Sequence, residues 1–81
     1  MFSNHNSKYK FHNVAVLTTK ELAEKMNIDK RMIDRHMKLL VDNKLIYFEN
    51  IRMDRKKHYV CSRYADQQFV KDAVKQLKKA I

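Results

Sequence analysis

The sequence predicts a small α+β domain, mainly helical, in which a short strand, two helices, a β-hairpin and a further helix follow one another. Two short helical segments lie between residues 19 and 42 and are separated by about three residues. After Asn43 the hydrophobic pattern changes to that of strands, and from about Arg63 a helical period returns. At 81 residues the chain forms one domain whose core is marginal by itself.

The N-terminal part of the chain changes from polar to apolar at Val14. Residues 1–13 show no helical or strand period, so we expect a flexible or irregular segment there. The following residues 14–17, VAVL, are apolar and rich in β-branched side chains. They predict a small buried strand.

Signals of a helix start follow this strand directly. Thr18 and Glu21 have the spacing of a capping box, and Leu17 and Leu22 have the spacing of a hydrophobic staple. The segment TKELAEKM is therefore predicted to form the first helix. Asn27 comes next, and we expect the helix to end there because asparagine tolerates a left-handed backbone.

The second helix, predicted over residues 30–42, has two different faces. Asp29 is placed to cap its start. At about 100° per residue, Ile33, Met37 and Leu40 share a narrow apolar arc. The opposite side carries charged residues: Arg31, Asp34, Arg35, Lys38 and Asp42. An ordinary solvent-exposed helix also has such a face, so this pattern alone does not identify a binding surface.

After Asn43 the sequence predicts a hairpin with a basic tip. The segments LIYFENIRM and HYVCS are rich in aromatic and branched residues, and DRKK at residues 54–57 joins them. Because the chain has no glycine, the turn type stays open.

A wide apolar face marks the C-terminal helix, predicted over residues 64–81. We expect this helix to close the core with Phe69, Ala73 and Leu77. Its other apolar residues, with Leu77 at the border of the two sets, are expected to meet a second subunit: Val70, Val74, Leu77 and Ile81. The alternative is a monomer whose own core covers the whole face.

The charge balance restricts the partners and the compartment. Lys and Arg number 18 against 9 acidic residues, a formal net charge of +9 at pH 7. Such an excess favours a polyanion, either nucleic acid or an acidic membrane surface. No apolar run approaches the roughly 20 residues that span a bilayer, and the N-terminus lacks the apolar core of a signal peptide. Because its one cysteine, Cys61, cannot form an internal disulfide, we expect the protein to be located in a reducing cytoplasm.

Catalytic and metal chemistry finds little support in the residue pattern. The absence of glycine excludes the Gly-rich phosphate loops of many nucleotide-using enzymes. The histidines and Cys61 show no metal-ligand spacing, and Cys61 is expected to fill the core. His36 is expected to be a partly buried packing residue. We predict no enzyme activity, no cofactor and no metal.

The segment LTTKELAEKMNIDKRMIDRHMKLLVDNKLI, followed by RMDRKKHYV, resembles the winged helix-turn-helix superfamily of bacterial, archaeal and phage transcription regulators. The resemblance covers roughly residues 14–61, within a domain predicted over residues 14–63. It implies that Ala23 lies where the two helices cross and that Ile33 is the buried residue of the recognition helix. The sequence departs from the superfamily pattern at Asn27 and Lys44, where glycine is usual, and in having no helix before residue 14.

The resemblance implies that the second helix lies in the major groove of double-stranded DNA and reads base edges. Arg31 and Arg35 can then bind guanine in bidentate fashion, and Asp34 can accept a hydrogen bond from cytosine. We expect Lys30 to contact a phosphate and Lys38 to lie on the same surface. The alternative is a set of solvated charges, with Asp34 paired to Lys30 or Lys38 along the helix.

The hairpin is expected to act as the wing, with a contact region at residues 52–58. Its basic residues are Arg52, Arg55, Lys56 and Lys57. Wings approach the backbone or the minor groove, so we expect backbone contact by Lys56 and Lys57 and a deeper contact by Arg55. Lys20, near the start of the first helix, is placed to reach a further phosphate. The alternative is a soluble loop whose charges prevent edge pairing.

Three functional interpretations compete. The preferred one is a sequence-specific DNA-binding transcription regulator, such as a repressor, acting as a homodimer whose recognition helices lie about 34 Å apart. The second is a nucleic-acid-binding factor without base specificity, architectural or involved in replication, because phosphate contacts alone account for the charge. The third is a protein-interaction module, for which a neutral and apolar recognition surface would be typical.

Overall fold

Residues 11–80 are described by this computed structural model, and their elements alternate between short helices and strands. In chain order they are β1 (Ala15–Thr18), α1 (Thr19–Met26), a 3-10 turn (Lys30–Met32), α2 (Ile33–Asp42), β2 (Ile46–Met53), β3 (Lys56–Arg63), a second 3-10 turn (Tyr64–Asp66) and α3 (Gln67–Ala80). The strands form an antiparallel sheet in the order β1-β3-β2. The α+β class and the order of elements predicted from the sequence are confirmed.

The sheet lies between two helical layers because its strands are apolar on both faces. Alternate residues of β1 and β3 belong to two separate clusters: Val16 and Val60 to one, Leu17 and Tyr59 to the other. On the first face the sheet packs against α3 through its buried residues Val70, Ala73, Val74 and Leu77. On the second face it packs against α1 and α2 through Leu22, Ala23, Ile33 and Met37.

This layering corrects the prediction for the C-terminal helix. Val70 and Val74, expected to meet a second subunit, are 0% and 4% exposed within the chain's own core. Phe69, expected in that core, is 39% exposed and lies edge-on to the ring of His12. Val70, Ala73, Val74 and Leu77 stand at i, i+3, i+4 and i+7 and form the face of α3 turned to the sheet, whereas Phe69 lies at the edge of that face. Leu77 is in the core as well, and Ile81 lies outside the described residues.

The helix starts agree with their sequence signals. The Thr18 hydroxyl accepts a hydrogen bond from the Glu21 amide at 3.1 Å, and the Glu21 carboxylate accepts one from the Thr18 amide at 2.8 Å. The capping box is thus confirmed, with Thr18 both closing β1 and capping α1. Asp29 accepts a hydrogen bond from the Arg31 amide at 2.8 Å and caps the 3-10 turn that leads into α2.

Both helices that precede the hairpin end in the same left-handed motif, without glycine. Asn27 and Lys44 have φ of 56° and 57°. In each case the backbone amide of the following residue donates a hydrogen bond to a carbonyl in the last turn of the helix. Ile28 donates to the Ala23 carbonyl, and Leu45 donates to the Leu40 carbonyl. This is the Schellman arrangement, in which glycine is preferred because a Cβ atom is crowded there.

Replacing Lys44 by glycine should therefore stabilise the domain. A lysine with left-handed φ carries a steric cost of roughly 1 kcal/mol that glycine avoids. We expect the free energy of unfolding in urea to rise by up to about that amount. As a control, Lys75→Gly in the middle of α3 should lower it by about 1 kcal/mol, because there the backbone is helical. A loss of stability in Lys44→Gly would contradict the left-handed assignment.

The hairpin turns through two residues, Asp54 and Arg55, whose φ values are 51° and 64°. Positive φ at both central positions is the pattern of a type I′ turn, which matches the twist of the flanking strands. The turn therefore begins where the sequence placed it, while Lys56 and Lys57 belong to β3. Most of the irregular segment expected over residues 1–13 lies outside the described residues; residues 11–13 form a turn closed by a bridge between Phe11 and Val14.

Candidate nucleic-acid interface

The outer face of α2 is exposed and positively charged. Ile33 and Met37 point to the sheet and are 1% and 0% exposed, as the apolar arc predicted. Arg35 and Lys38 lie on the solvent side, and within residues 11–80 neither makes a hydrogen bond or an ion pair. Their charged groups are therefore available to an external ligand.

Arg31 differs from these two residues because its guanidinium is already paired. Its Nε and Nη2 each donate to a different oxygen of Asp29, both at 3.2 Å. The same carboxylate caps the turn, and the hydrogen bonds from the Arg31 side chain and backbone lower the pKa of Asp29. The pair is exposed, so it is weak, but a bidentate contact of Arg31 with guanine would first require its release from Asp29.

Four lysines from three separate elements line one cleft of about 320 Å³. Lys20 comes from α1, Lys30 from the turn before α2, and Lys56 and Lys57 from the start of β3. Thr18 and Thr19 complete the lining at the N-terminus of α1. The capping box occupies the amides of Thr18 and Glu21 there, while the amides of residues 19 and 20 have no acceptor within the helix. Among the described residues the lining consists of these four lysines and two threonines, so the cleft is positively charged.

The hairpin extends this basic surface on the side of α1 and α2. Arg52 lies directly opposite Lys57 in the β2–β3 register, and both are exposed. Like charges in opposite positions repel, and the carboxylate of Asp34, 3.2 Å from Lys57 Nζ, offsets part of that repulsion. Arg55 is exposed at the tip of the turn.

Asp34 is held by the hairpin, and the alternative in which it pairs with Lys30 or Lys38 along the helix is wrong. Its Oδ1 accepts a hydrogen bond from the Tyr59 hydroxyl at 2.6 Å and one from Lys57 Nζ at 3.2 Å. The bonds from Tyr59 and then from Lys57 lower the pKa of Asp34. In the described part of the chain its ion pair is with Lys57, and Lys30 and Lys38 do not take part.

Tyr59 is the member of this surface that sequence analysis missed. Its ring is 1% exposed and packs with the core beneath α2, and burial followed by the bond to Asp34 raises its pKa. The sequence signal was an aromatic residue on a predicted strand, which says nothing of a partner 25 positions earlier in the chain. Thr18 and Thr19 were likewise not predicted to line a binding cleft.

The reactive side chains outside this surface are structural. Cys61 is fully buried, as expected for a core residue, and burial raises its pKa to about 12. His36 is half-buried, with Nδ1 3.2 Å from the Met32 carbonyl oxygen. Among residues 11–80, no three His, Cys, Asp or Glu side chains come close enough together to hold a metal ion. In the same range, every helix is too short or too polar to cross a bilayer.

Comparison with known protein families, with curated proteins and with solved structures returned no significant match.

Proposed function

We propose that this protein binds double-stranded DNA sequence-specifically as a transcription regulator with a winged helix-turn-helix domain. In this proposal α1 and α2 form the helix-turn-helix, α2 enters the major groove, and the β2–β3 hairpin is the wing. The observation that carries the proposal is the cleft in which lysines from α1, from the 3-10 turn before α2 and from β3 converge.

The chemistry of this cleft is that of a phosphate contact. Lysines act as mobile point charges toward phosphate, and exposed amides at a helix N-terminus add oriented donors. A DNA strand has phosphates at a regular spacing, so a cleft that holds one of them also sets the position of α2 over the neighbouring bases. Arg35 and Lys38, exposed and without partners among the described residues, then lie on the helix face that would meet base edges.

One observation favours a second candidate function, nucleic-acid binding without base specificity. The basic side chains around the cleft are all lysines, which neutralise phosphates without reading sequence. The two functions differ in what α2 does. A sequence-specific regulator uses Arg35 to distinguish one base pair, whereas a non-specific binder uses it as one more charge.

Replacing Arg35 by alanine separates these functions. A pool of random duplexes, selected for binding and sequenced, first supplies a preferred site. On that site Arg35→Ala should cost roughly 1–3 kcal/mol and relax the preference at one base pair, as measured by fluorescence anisotropy. On random duplex the loss should be much smaller. Lys75→Ala on α3, which removes the same charge from the opposite side of the sheet, is the matched control.

Two results would contradict the proposal. A pool that yields no preferred site, together with equal losses of Arg35→Ala on every duplex, would favour the non-specific function. A wild type that binds no duplex at low salt would exclude the sequence-specific function, and one that also binds no single-stranded DNA or RNA would exclude both.

A further inference from the structure

Asp34, Tyr59 and Lys57 form a contact between the two elements that the proposed function brings to DNA. Asp34 lies in the first turn of α2, and the other two residues lie on β3 of the hairpin. The Tyr59 hydroxyl donates to Asp34 at 2.6 Å, the short distance of a bond to a charged acceptor. Lys57 Nζ lies 3.2 Å from the same oxygen and 5.0 Å from the centre of the Tyr59 ring.

Tyr59 anchors this contact to the core. Its ring is buried and packs in the same cluster as Ile33 and Met37 on the inner face of α2. The packing fixes the ring, and the ring fixes the hydroxyl. The directed bond of Asp34 to this anchored hydroxyl adds a restraint on the position of α2 to the apolar contacts of Ile33 and Met37.

Lys57 is shared between this contact and the basic cleft. It lines the cleft with Lys20, Lys30 and Lys56, yet it is the member whose charge is already paired. The Tyr59 hydroxyl and the Asp34 carboxylate keep the pKa of Lys57 above its usual value. In the free protein, the Asp34 carboxylate thus offsets part of the positive charge that a phosphate would meet.

We infer that Asp34 is a positioning residue and that it does not read a base. Through Tyr59 it sets the distance between α2 and the hairpin, and through Lys57 it restrains one charge of the cleft. This inference rests on the proposed function. It means that Asp34 contributes to sequence specificity although it does not contact a base. If DNA approaches, Lys57 can exchange the carboxylate for a phosphate while the bond between Tyr59 and Asp34 stays in place.

Three variants test this role, because each removes a different part of the contact. Tyr59→Phe removes the hydroxyl and keeps the ring and the Asp34 charge. Asp34→Ala removes the acceptor. Asp34→Asn keeps an oxygen for the Tyr59 hydroxyl and removes only the charge. For each variant, affinity is measured on the selected site and on random duplex, across a range of salt concentrations.

If Asp34 positions α2, the three variants should change the ratio of specific to random affinity in a different order than if Asp34 reads a base. We expect Tyr59→Phe and Asp34→Ala to lower the ratio of specific to random affinity by roughly tenfold, the effect of losing one positioned bond to a charged group. Asp34→Asn should keep that ratio and bind all duplexes more tightly, with a salt slope steeper by up to about 0.9 because Lys57 is released. The double variant Asp34→Ala, Tyr59→Phe should lose no more than either single variant, since both remove the same bond.

A binding-independent measurement accompanies these assays. NMR titration of the Asp34 carboxyl should show its pKa rising toward the usual value in Tyr59→Phe, because the bond that lowers it is gone. Amide spectra establish that each variant is folded. Discrimination that is unchanged in Tyr59→Phe but lost in Asp34→Asn would overturn the inference and make Asp34 a base-reading residue. A folded wild type that binds no duplex, with the NMR shift still present, would instead refute the proposed function and with it any role of this contact in DNA binding.

Discussion

The double variant Val70→Glu, Val74→Glu is expected not to fold. Both side chains are buried between α3 and the sheet, at 0% and 4% exposure, in a cluster of apolar side chains. Burying an unpaired carboxylate costs several kcal/mol, and two of them would exceed the total stability of about 5–10 kcal/mol that a domain of this size has. Circular dichroism should show the loss of the cooperative thermal transition.

A matched control adds two carboxylates to the same helix at exposed positions. Gln76→Glu, Ala80→Glu should keep the cooperative transition, with a change in the free energy of unfolding within about 1 kcal/mol. If the Val70, Val74 variant does fold, sedimentation should be used to compare its oligomeric state with that of the wild type. If the Val70, Val74 variant were folded and monomeric while the wild type was dimeric, these valines would face a second subunit, and the packing of α3 on its own sheet would be wrong.

Removing three lysines from the cleft should have the largest effect on DNA binding. Lys20→Gln, Lys30→Gln, Lys56→Gln neutralises the members that do not pair with Asp34. Each lost phosphate contact lowers the slope of log K against log salt concentration by about 0.9, so the triple variant should lose about 2.7. Because phosphates carry no sequence, affinity should fall for specific and random duplexes alike.

The chain supplies a control with the same change in net charge. Lys75, Lys78 and Lys79 are exposed on α3, which covers the opposite face of the sheet from α1 and α2. Their replacement by glutamine should leave the salt slope nearly unchanged. Equal effects of the two triple variants would mean that net charge alone attracts DNA and that the cleft is not part of the interface.

The elements of this fold were predictable because their signals are local. The capping box of Thr18 and Glu21, the left-handed residue at Asn27 and the cap at Asp29 depend on neighbours within four positions. The apolar arc of Ile33 and Met37 likewise follows from helical geometry alone. For the same reason the basic face of α2 could be assigned to solvent without knowledge of the rest of the domain.

The sequence analysis did not predict that helices cover both faces of the sheet, although the apolar runs in the strands indicate it. An antiparallel sheet with one wet face alternates apolar and polar residues, but VAVL at residues 14–17 and YVC at residues 59–61 are apolar without interruption. Uninterrupted runs of this kind indicate strands covered on both faces. Without the strand order, these runs do not show which helix covers which face. The wide apolar face of the C-terminal helix therefore suggested a second subunit at Val70 and Val74, although it covers the chain's own sheet.

The candidate site shows the same division between local and long-range information. The sequence by itself determined which residues carry charge and which face of α2 is exposed, since both follow from residue type and period. Tertiary structure alone decided that Lys20, Lys30, Lys56 and Lys57 share a cleft and that Asp34 is bonded to Tyr59. These contacts depend on the register of β3 between β1 and β2 and on the position of α2 over it. Such long-range pairings are set by the packing of the whole domain, and the spacing of residues along the chain does not encode them.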